Sequence, residues 1–151
     1  MPQSDREPLP DVQIRTADPA HPSEAPVESW QKRLSVLGPA FDEQDGIRTT
    51  LSKLRARLPE AEIMVVDDFS SDATADEAAK VEGIRIVRHA YNCGYGGALK
   101  TGMVLAGRDY VAWFDADGEH RVEDLVRIVD RLDRDHLAAV IGQRRGRSKT
   151  P

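Results

Sequence analysis

Cysteine is almost absent from this 151-residue chain, with Cys93 its one representative. That excludes a disulfide framework and any zinc-finger spacing, and it fits a reducing compartment. Long apolar runs are missing too. No stretch approaches the roughly 18 consecutive apolar residues of a membrane span, and the N-terminus shows no signal peptide. Attachment to a membrane would have to come through a surface, a partner or sequence beyond this chain. An excess of positive charge is also lacking. The formal net charge of −5 argues against nucleic-acid binding. There is no internal repeat.

What is present divides unevenly. The length suggests one domain. Met1 to Ser29 hold six of the nine prolines, and six acidic residues face two arginines there. Composition marks residues 1–30 as a disordered, acidic, Pro-rich leader, either inert or partner-binding. Residues 31–147 form the expected folded domain and 148–151 a tail. Leu34-Ser35-Val36-Leu37 reads as a first strand, stopped by Gly38-Pro39. Ile47, Leu51, Leu54 and Leu58 fall on one face of a helix that Pro59 ends. Glu62 to Val66 is a second strand, and Ser70 to Thr74 opens a helix ending near Lys80. Ile84 to Val87 is a third strand. A glycine-rich loop, Asn92 to Ala98, opens a helix running to about Ala106. Tyr110 to Phe114 reads as a buried fourth strand. Val122, Leu125, Val126, Val129 and Leu132 mark an amphipathic helix, and Ala138 to Ile141 a fifth strand. The alternation predicts an α/β fold with a largely parallel sheet and flanking helices.

Acidic residues stand where these strands end: Asp42-Glu43, Asp67-Asp68 and Asp115-Ala116-Asp117. In a parallel sheet such ends share one edge, where ligands bind. Carboxylates converging in a partly desolvated cleft repel one another unless a cation or ligand donors relieve them. Asp115 and Asp117, with Glu119 two residues on, suit a hard divalent cation, Mg²⁺ or Mn²⁺, completed by substrate phosphates. A solvated acidic turn is the plainer alternative. Asp67 or Asp68 can accept from a base N–H or a ribose hydroxyl, or simply favour the next helix N-terminus. The glycine loop meets neither the dinucleotide nor the P-loop fingerprint. It serves as a phosphate cradle at a helix N-terminus or as a tight turn. The basic run Arg144 to Lys149 is either a phosphate contact or a solvated tail. A phosphoacceptor receiver arrangement fits poorly, because a strand and helix precede Asp67 and no later strand offers the required lysine.

Five blocks in order, LSVLGPAFDEQDGI, EIMVVDDFSSDAT, YNCGYGGALKTG, YVAWFDADGEH and AVIGQRRGR, resemble those of the family 2 glycosyltransferases with a GT-A fold. The polyprenyl-phosphate sugar transferases, such as dolichyl-phosphate mannose synthase, are the nearest in flavour. The resemblance covers about residues 33 to 147. It implies a Rossmann-like half that binds a UDP- or GDP-linked sugar with Mn²⁺ or Mg²⁺ and passes the sugar to an acceptor such as a polyprenyl phosphate. That setting is cytoplasmic, at the membrane face. Carried over, Pro39, Phe41 and Glu43 line the base and ribose pocket, and Asp67 and Asp68 contact the nucleotide. Gly94, Gly97 and Lys100 flank it. Asp115 and Ala116 touch the donor, and Asp115, Asp117 and Glu119 (where many relatives carry glutamine) hold the metal. Arg144 approaches the diphosphate. The resemblance assigns no catalytic base to this chain. Asp42 stands where asparagine is usual and Gly38 where an apolar residue is usual. Members continue past the fifth strand into an acceptor-binding half, and the resemblance leads to the expectation that this half is missing here; self-association or a partner on the uncovered surface is a further expectation. A nucleotide-sugar-binding module without turnover is the alternative.

Overall fold

The computed structural model describes residues 29–142. A short 3-10 turn, Ser29–Arg33, leads into β1 (Leu34–Ala40), α1 (Ile47–Arg57), β2 (Glu62–Asp67) and α2 (Thr74–Ala79). There follow β3 (Ile84–Arg88), α3 (Gly94–Leu105), β4 (Tyr110–Trp113) and α4 (Val122–Arg134). The four strands form one sheet in the order β3-β2-β1-β4, every neighbouring pair parallel.

Alternation along β1 and β2 sorts the core into two layers. Leu34, Val36, Ala40, Ile63 and Val65 pack with the apolar faces of α1, α2 and α4. Leu37, Met64 and Val66 face the opposite way, onto Ala98 of α3. The central strands are thus covered on both faces, which is why their sequences read as near-continuous apolar runs. Gly102 lets α3 lie close, since a Cβ there would stand 3.0 Å from Leu37 Cδ1. The helix face expected from Ile47, Leu51, Leu54 and Leu58 is buried throughout.

Four expectations change. First, β1 does not stop at Gly38-Pro39 but continues to Ala40, with Pro39 in register opposite Val66. Leu37 O accepts Phe114 N–H on the β4 side, and Ala40 O accepts Asp68 N–H on the β2 side. By alternation Pro39 points its missing N–H toward β4, whose pairing has ended at Trp113 opposite Leu37. Second, β4 is not a buried strand. Val111 and Trp113 are exposed, because β4 lies at a sheet edge and α3 packs over β1 and β2 instead.

Third, Ala138-Ala139-Val140-Ile141 forms no strand. His136 takes a left-handed turn (φ 50°), and Leu137 N–H returns to Leu132 O at 2.9 Å. The chain then folds back on α4, bringing Gly142 against Ile128 and away from the β4 ladder. Fourth, Trp30, counted by composition with the leader, is buried in the core. Residues 1–28, Arg144 and the rest of the basic run lie outside the described residues.

Candidate functional site

The strand order reverses between β1 and β4. Helices α1 and α2 wind to one side, and α3 crosses back over the other face. In an open α/β sheet the crevice beyond the strand ends at such a switch point is where ligands bind. A cleft of about 380 Å³ lies there. Its walls are Pro39, Phe41 and Glu43 after β1, Asp68 after β2, Asn92, Gly94 and Tyr95 at the entry of α3, and Asp115 to Asp117 after β4.

Asp68 is the best-held carboxylate in it. Its Oδ1 accepts the Cys93 N–H at 2.7 Å and lies 2.7 Å from His89 Nδ1. Burial works hardest against its charge, but the Cys93 N–H, His89 and the Gly94 N–H outweigh that, and the carboxyl sits below its usual range. Asp67, one residue earlier, is turned away from the cleft. Its Oδ1 accepts Ser70 N–H at 3.0 Å. Its Oδ2 lies 3.1 Å from Arg88 Nε, close enough to pair but not aligned for a hydrogen bond. Asp42, at φ 51°, is also turned outward and accepts Ser71 N–H at 2.8 Å. A backbone position of that kind tolerates aspartate as readily as asparagine.

Across the cleft, Tyr95 donates its hydroxyl to Asp115 Oδ1 at 2.7 Å. Burial, that bond and the charges of Asp115 and Asp117 push the phenol up to about 12, so it stays a donor. Asp117 Oδ1 accepts Glu119 N–H, closing the turn at Gly118. Glu43 feels the crowding: burial first, then the charges of Asp117 and Asp72, raise its carboxyl above the usual value. A site that raises one carboxyl against its neighbours, with oxygen donors alone on Asp115 and Asp117, fits a hard divalent cation.

Of the expected donor residues, then, Pro39, Phe41, Glu43, Asp68, Gly94, Asp115 and Ala116 line one cleft, together with Asp117. Asp67, Gly97 and Lys100 do not. Gly97 lies in the first turn of α3 against Cys93, and Lys100 is exposed on that helix. Glu119 borders a separate hollow of about 1030 Å³ along α4, whose charged lining includes the pairs Arg127–Asp124 and Arg134–Asp130. Among the described residues, the donor atoms of Asp68, His89 and Cys93 gather within 4.8 Å of one another, whereas Asp115, Asp117 and Glu119 do not. Sequence reasoning missed Tyr95, His89 and Asn92. Asn92 at a loop just before a helix was the one local signal; the other two matter through pairings made in space.

Residues 35–151 match the family described as Glycosyl transferase family 2. The chain belongs to that family. It is 33 % identical over 120 residues to the undecaprenyl-phosphate mannosyltransferase of Micrococcus luteus, covering 75 % of this chain and 49 % of that protein. The dolichyl-phosphate beta-glucosyltransferase of Dictyostelium discoideum is 32 % identical over 129 residues, covering 74 % and 39 %. Among solved structures, a mannosyltransferase from Pyrobaculum calidifontis in complex with GDP-Man and Mn²⁺ superposes with a TM-score of 0.58 at 25 % identity, over 66 % of this chain and 32 % of its own. The fold of this glycosyltransferase-family chain is the GT-A fold. The chain spans half or less of the length of these relatives. No helix among the described residues is long and apolar enough to cross a membrane.

Proposed function

We propose that this chain is the donor-binding half of an inverting glycosyltransferase that uses a UDP- or GDP-linked sugar and passes it to a polyprenyl phosphate at the cytoplasmic membrane face. The observation that carries the reading is the convergence of Glu43, Asp68, Asp115 and Asp117 on one cleft at the switch point of the sheet. It is supported by the GDP-Man and Mn²⁺ in the Pyrobaculum structure and by the polyprenyl-phosphate names of the relatives.

In this reading Pro39, Phe41 and Glu43 flank the base and ribose, and Asp68 accepts a base N–H. Gly94, with no Cβ and at φ 77°, leaves room for the donor to approach the backbone. Asp115 and Asp117 hold Mn²⁺ or Mg²⁺, which when bound supplies Lewis-acid neutralisation of the diphosphate. Tyr95 gives its hydrogen bond to Asp115 and keeps that carboxylate oriented across the cleft. The acceptor oxygen attacks the anomeric carbon, the C–O bond to the diphosphate breaks, and the nucleoside diphosphate leaves with that electron pair. A phosphate acceptor is already ionised near neutral pH and needs no base from this chain, whereas a sugar hydroxyl would.

Thermal unfolding with UDP and with GDP, each with and without Mn²⁺, tests the donor site. The expected result is a metal-dependent rise in the melting temperature for one nucleotide, lost in Asp115→Asn/Asp117→Asn. A cooperatively melting protein that responds to neither nucleotide would sink the proposal. Transfer to a polyprenyl phosphate, followed with labelled donor, then separates an enzyme from a binding module without turnover. The module is the second reading, prompted by the chain's partial span of its relatives.

A further inference from the structure

His89 stands at the end of β3, one residue past the strand, and its ring links two things the donor reading leaves unconnected. Nδ1 lies 2.7 Å from Asp68 Oδ1, and Nε2 lies 2.9 Å from Thr101 Oγ1 on α3. The ring is mostly buried, at 11 % side-chain exposure, and the carboxylate it meets is at 5 %. His89 N–H is itself fixed to Asp67 O at 2.9 Å, so the backbone that carries the ring is tied to the end of β2. A carboxylate offers about four acceptor positions. Here Oδ1 takes both the Cys93 N–H and the imidazole, and Asp68 still lines the cleft.

Geometry of this kind restricts two freedoms at once. The carboxylate cannot rotate about its Cβ–Cγ bond without breaking two short bonds to Oδ1. The ring cannot flip without breaking the bond to Thr101, whose hydroxyl serves either protonation state of Nε2 because it both donates and accepts. With Nδ1 protonated, the imidazole is a donor to Asp68 and leaves Oδ2 as the acceptor available to a ligand.

We propose that His89 is a positioning residue for donor-base recognition: braced by Thr101, it holds Asp68 so that Oδ2 meets an N–H on the base of the nucleotide. The inference rests on the donor-site reading above and concerns the base rather than the diphosphate. Asp68 lies on the β2 side of the cleft and Asp115 and Asp117 follow β4, so the effect on the base is separable from metal and phosphate binding.

The test is isothermal calorimetry on the full chain with Mn²⁺, titrating UDP, GDP and inorganic pyrophosphate into wild type, His89→Leu, His89→Asn and Thr101→Val. A lost bond to a charged group weakens binding by roughly tenfold to a hundredfold. His89→Leu is expected to lose about that much affinity for the preferred nucleotide while binding pyrophosphate within about twofold of wild type. His89→Asn, whose amide N–H stands near the position of Nδ1, is expected to restore most of the loss. Thr101→Val keeps the side-chain shape and removes the brace, giving a smaller loss with the same selectivity for the base. Equal loss for nucleotide and pyrophosphate, or His89→Asn no better than His89→Leu, would mean a structural role only and overturns the inference. If His89→Leu does not fold, Thr101→Val with an unchanged ratio of nucleotide to pyrophosphate affinity overturns it alone. Wild-type protein that binds neither nucleotide refutes the donor reading, and this inference with it; wild-type binding with variants unchanged refutes only the inference.

Discussion

Two neighbouring glycines at the start of α3 should respond to the same substitution with opposite signs. A Cβ at Gly97 would stand 2.6 Å from the Cys93 Cβ, whereas a Cβ at Gly96 would meet nothing within 4 Å. Carbon atoms rest at about 3.5–4.0 Å, so Gly97→Ala forces an overlap of about 1 Å against a backbone-anchored atom. Relieving such an overlap costs about 1–3 kcal/mol. Alanine returns roughly 0.5–1 kcal/mol through helix propensity, leaving a net loss of up to about 2.5 kcal/mol. Gly96→Ala has the gain without the clash and should stabilise by about 0.5–1 kcal/mol. For a folded region of this size each kcal/mol moves the melting temperature by roughly 4 °C. Since the propensity gain is common to both, the clash of about 1–3 kcal/mol alone separates them, and thermal melts of the two variants should diverge by about 4–12 °C. Cys93 is also the residue whose N–H reaches Asp68 at 2.7 Å. Gly97→Ala should thus weaken nucleotide binding as well, and Gly96→Ala should not. A Gly97→Ala protein that melts at or above wild type would refute the packing argument.

Other consequences are as open to measurement. Arg55 donates to Leu58 O, Pro59 O, Ala61 O and Gly83 O, at 2.7 to 3.3 Å, sewing the end of α1 to the entries of β2 and β3. Arg55→Met should cost about 2–4 kcal/mol in urea unfolding, less than four full hydrogen bonds because several of these carbonyls can rehydrate. Arg55→Lys should rescue little, since one ammonium cannot reproduce the fork; near-wild-type stability in the lysine variant would sink this. Glu43, its carboxyl raised by burial and by Asp117 and Asp72, binds its proton more tightly folded than unfolded. Stability should therefore fall as pH rises from the unfolded value of a glutamate through the raised folded one. Glu43→Gln should remove that fall, melting higher than wild type at pH 7, with the difference vanishing toward pH 4. A difference that grows on acidification would reverse the assigned sign. Asp68, held low, contributes in the opposite sense, losing its stabilisation as pH drops through its folded value.

Much of the architecture was written in residue periodicity. The i, i+4, i+7, i+11 spacing of Ile47, Leu51, Leu54 and Leu58 and the apolar run Ile63 to Val66 needed no tertiary information. Pro39 misled because a proline inside a strand is excluded only where a partner awaits its N–H, and β4 has already turned away there. Ile141 misled in the other direction: an apolar run becomes a strand only when a ladder receives it, and α4's left-handed exit at His136 directs it elsewhere. In the site, the pair Asp67-Asp68 was visible but its division of labour was not. Consecutive residues point to opposite sides, and which side carries Arg88 and which carries His89 depends on β3 lying beside β2. Tyr95 was legible only as a residue between glycines, since its partner Asp115 stands twenty positions on.

The loop after β1 and the loop after β2 are stitched together by their own side chains. Asp42 N–H donates to Ser70 Oγ, Glu43 N–H to Thr74 Oγ1, Gln44 N–H to Asp72 Oδ2, Ser71 N–H to Asp42 Oδ1 and Ala73 N–H to Gln44 Oε1. These amides lie in loops at the surface, where proton exchange with solvent is ordinarily fast. Stitched this way, they should exchange as one slow cooperative group in heavy water, opening together. One wall of the cleft therefore keeps its shape before anything binds, and a ligand entering there meets a surface whose ordering entropy was already spent in folding.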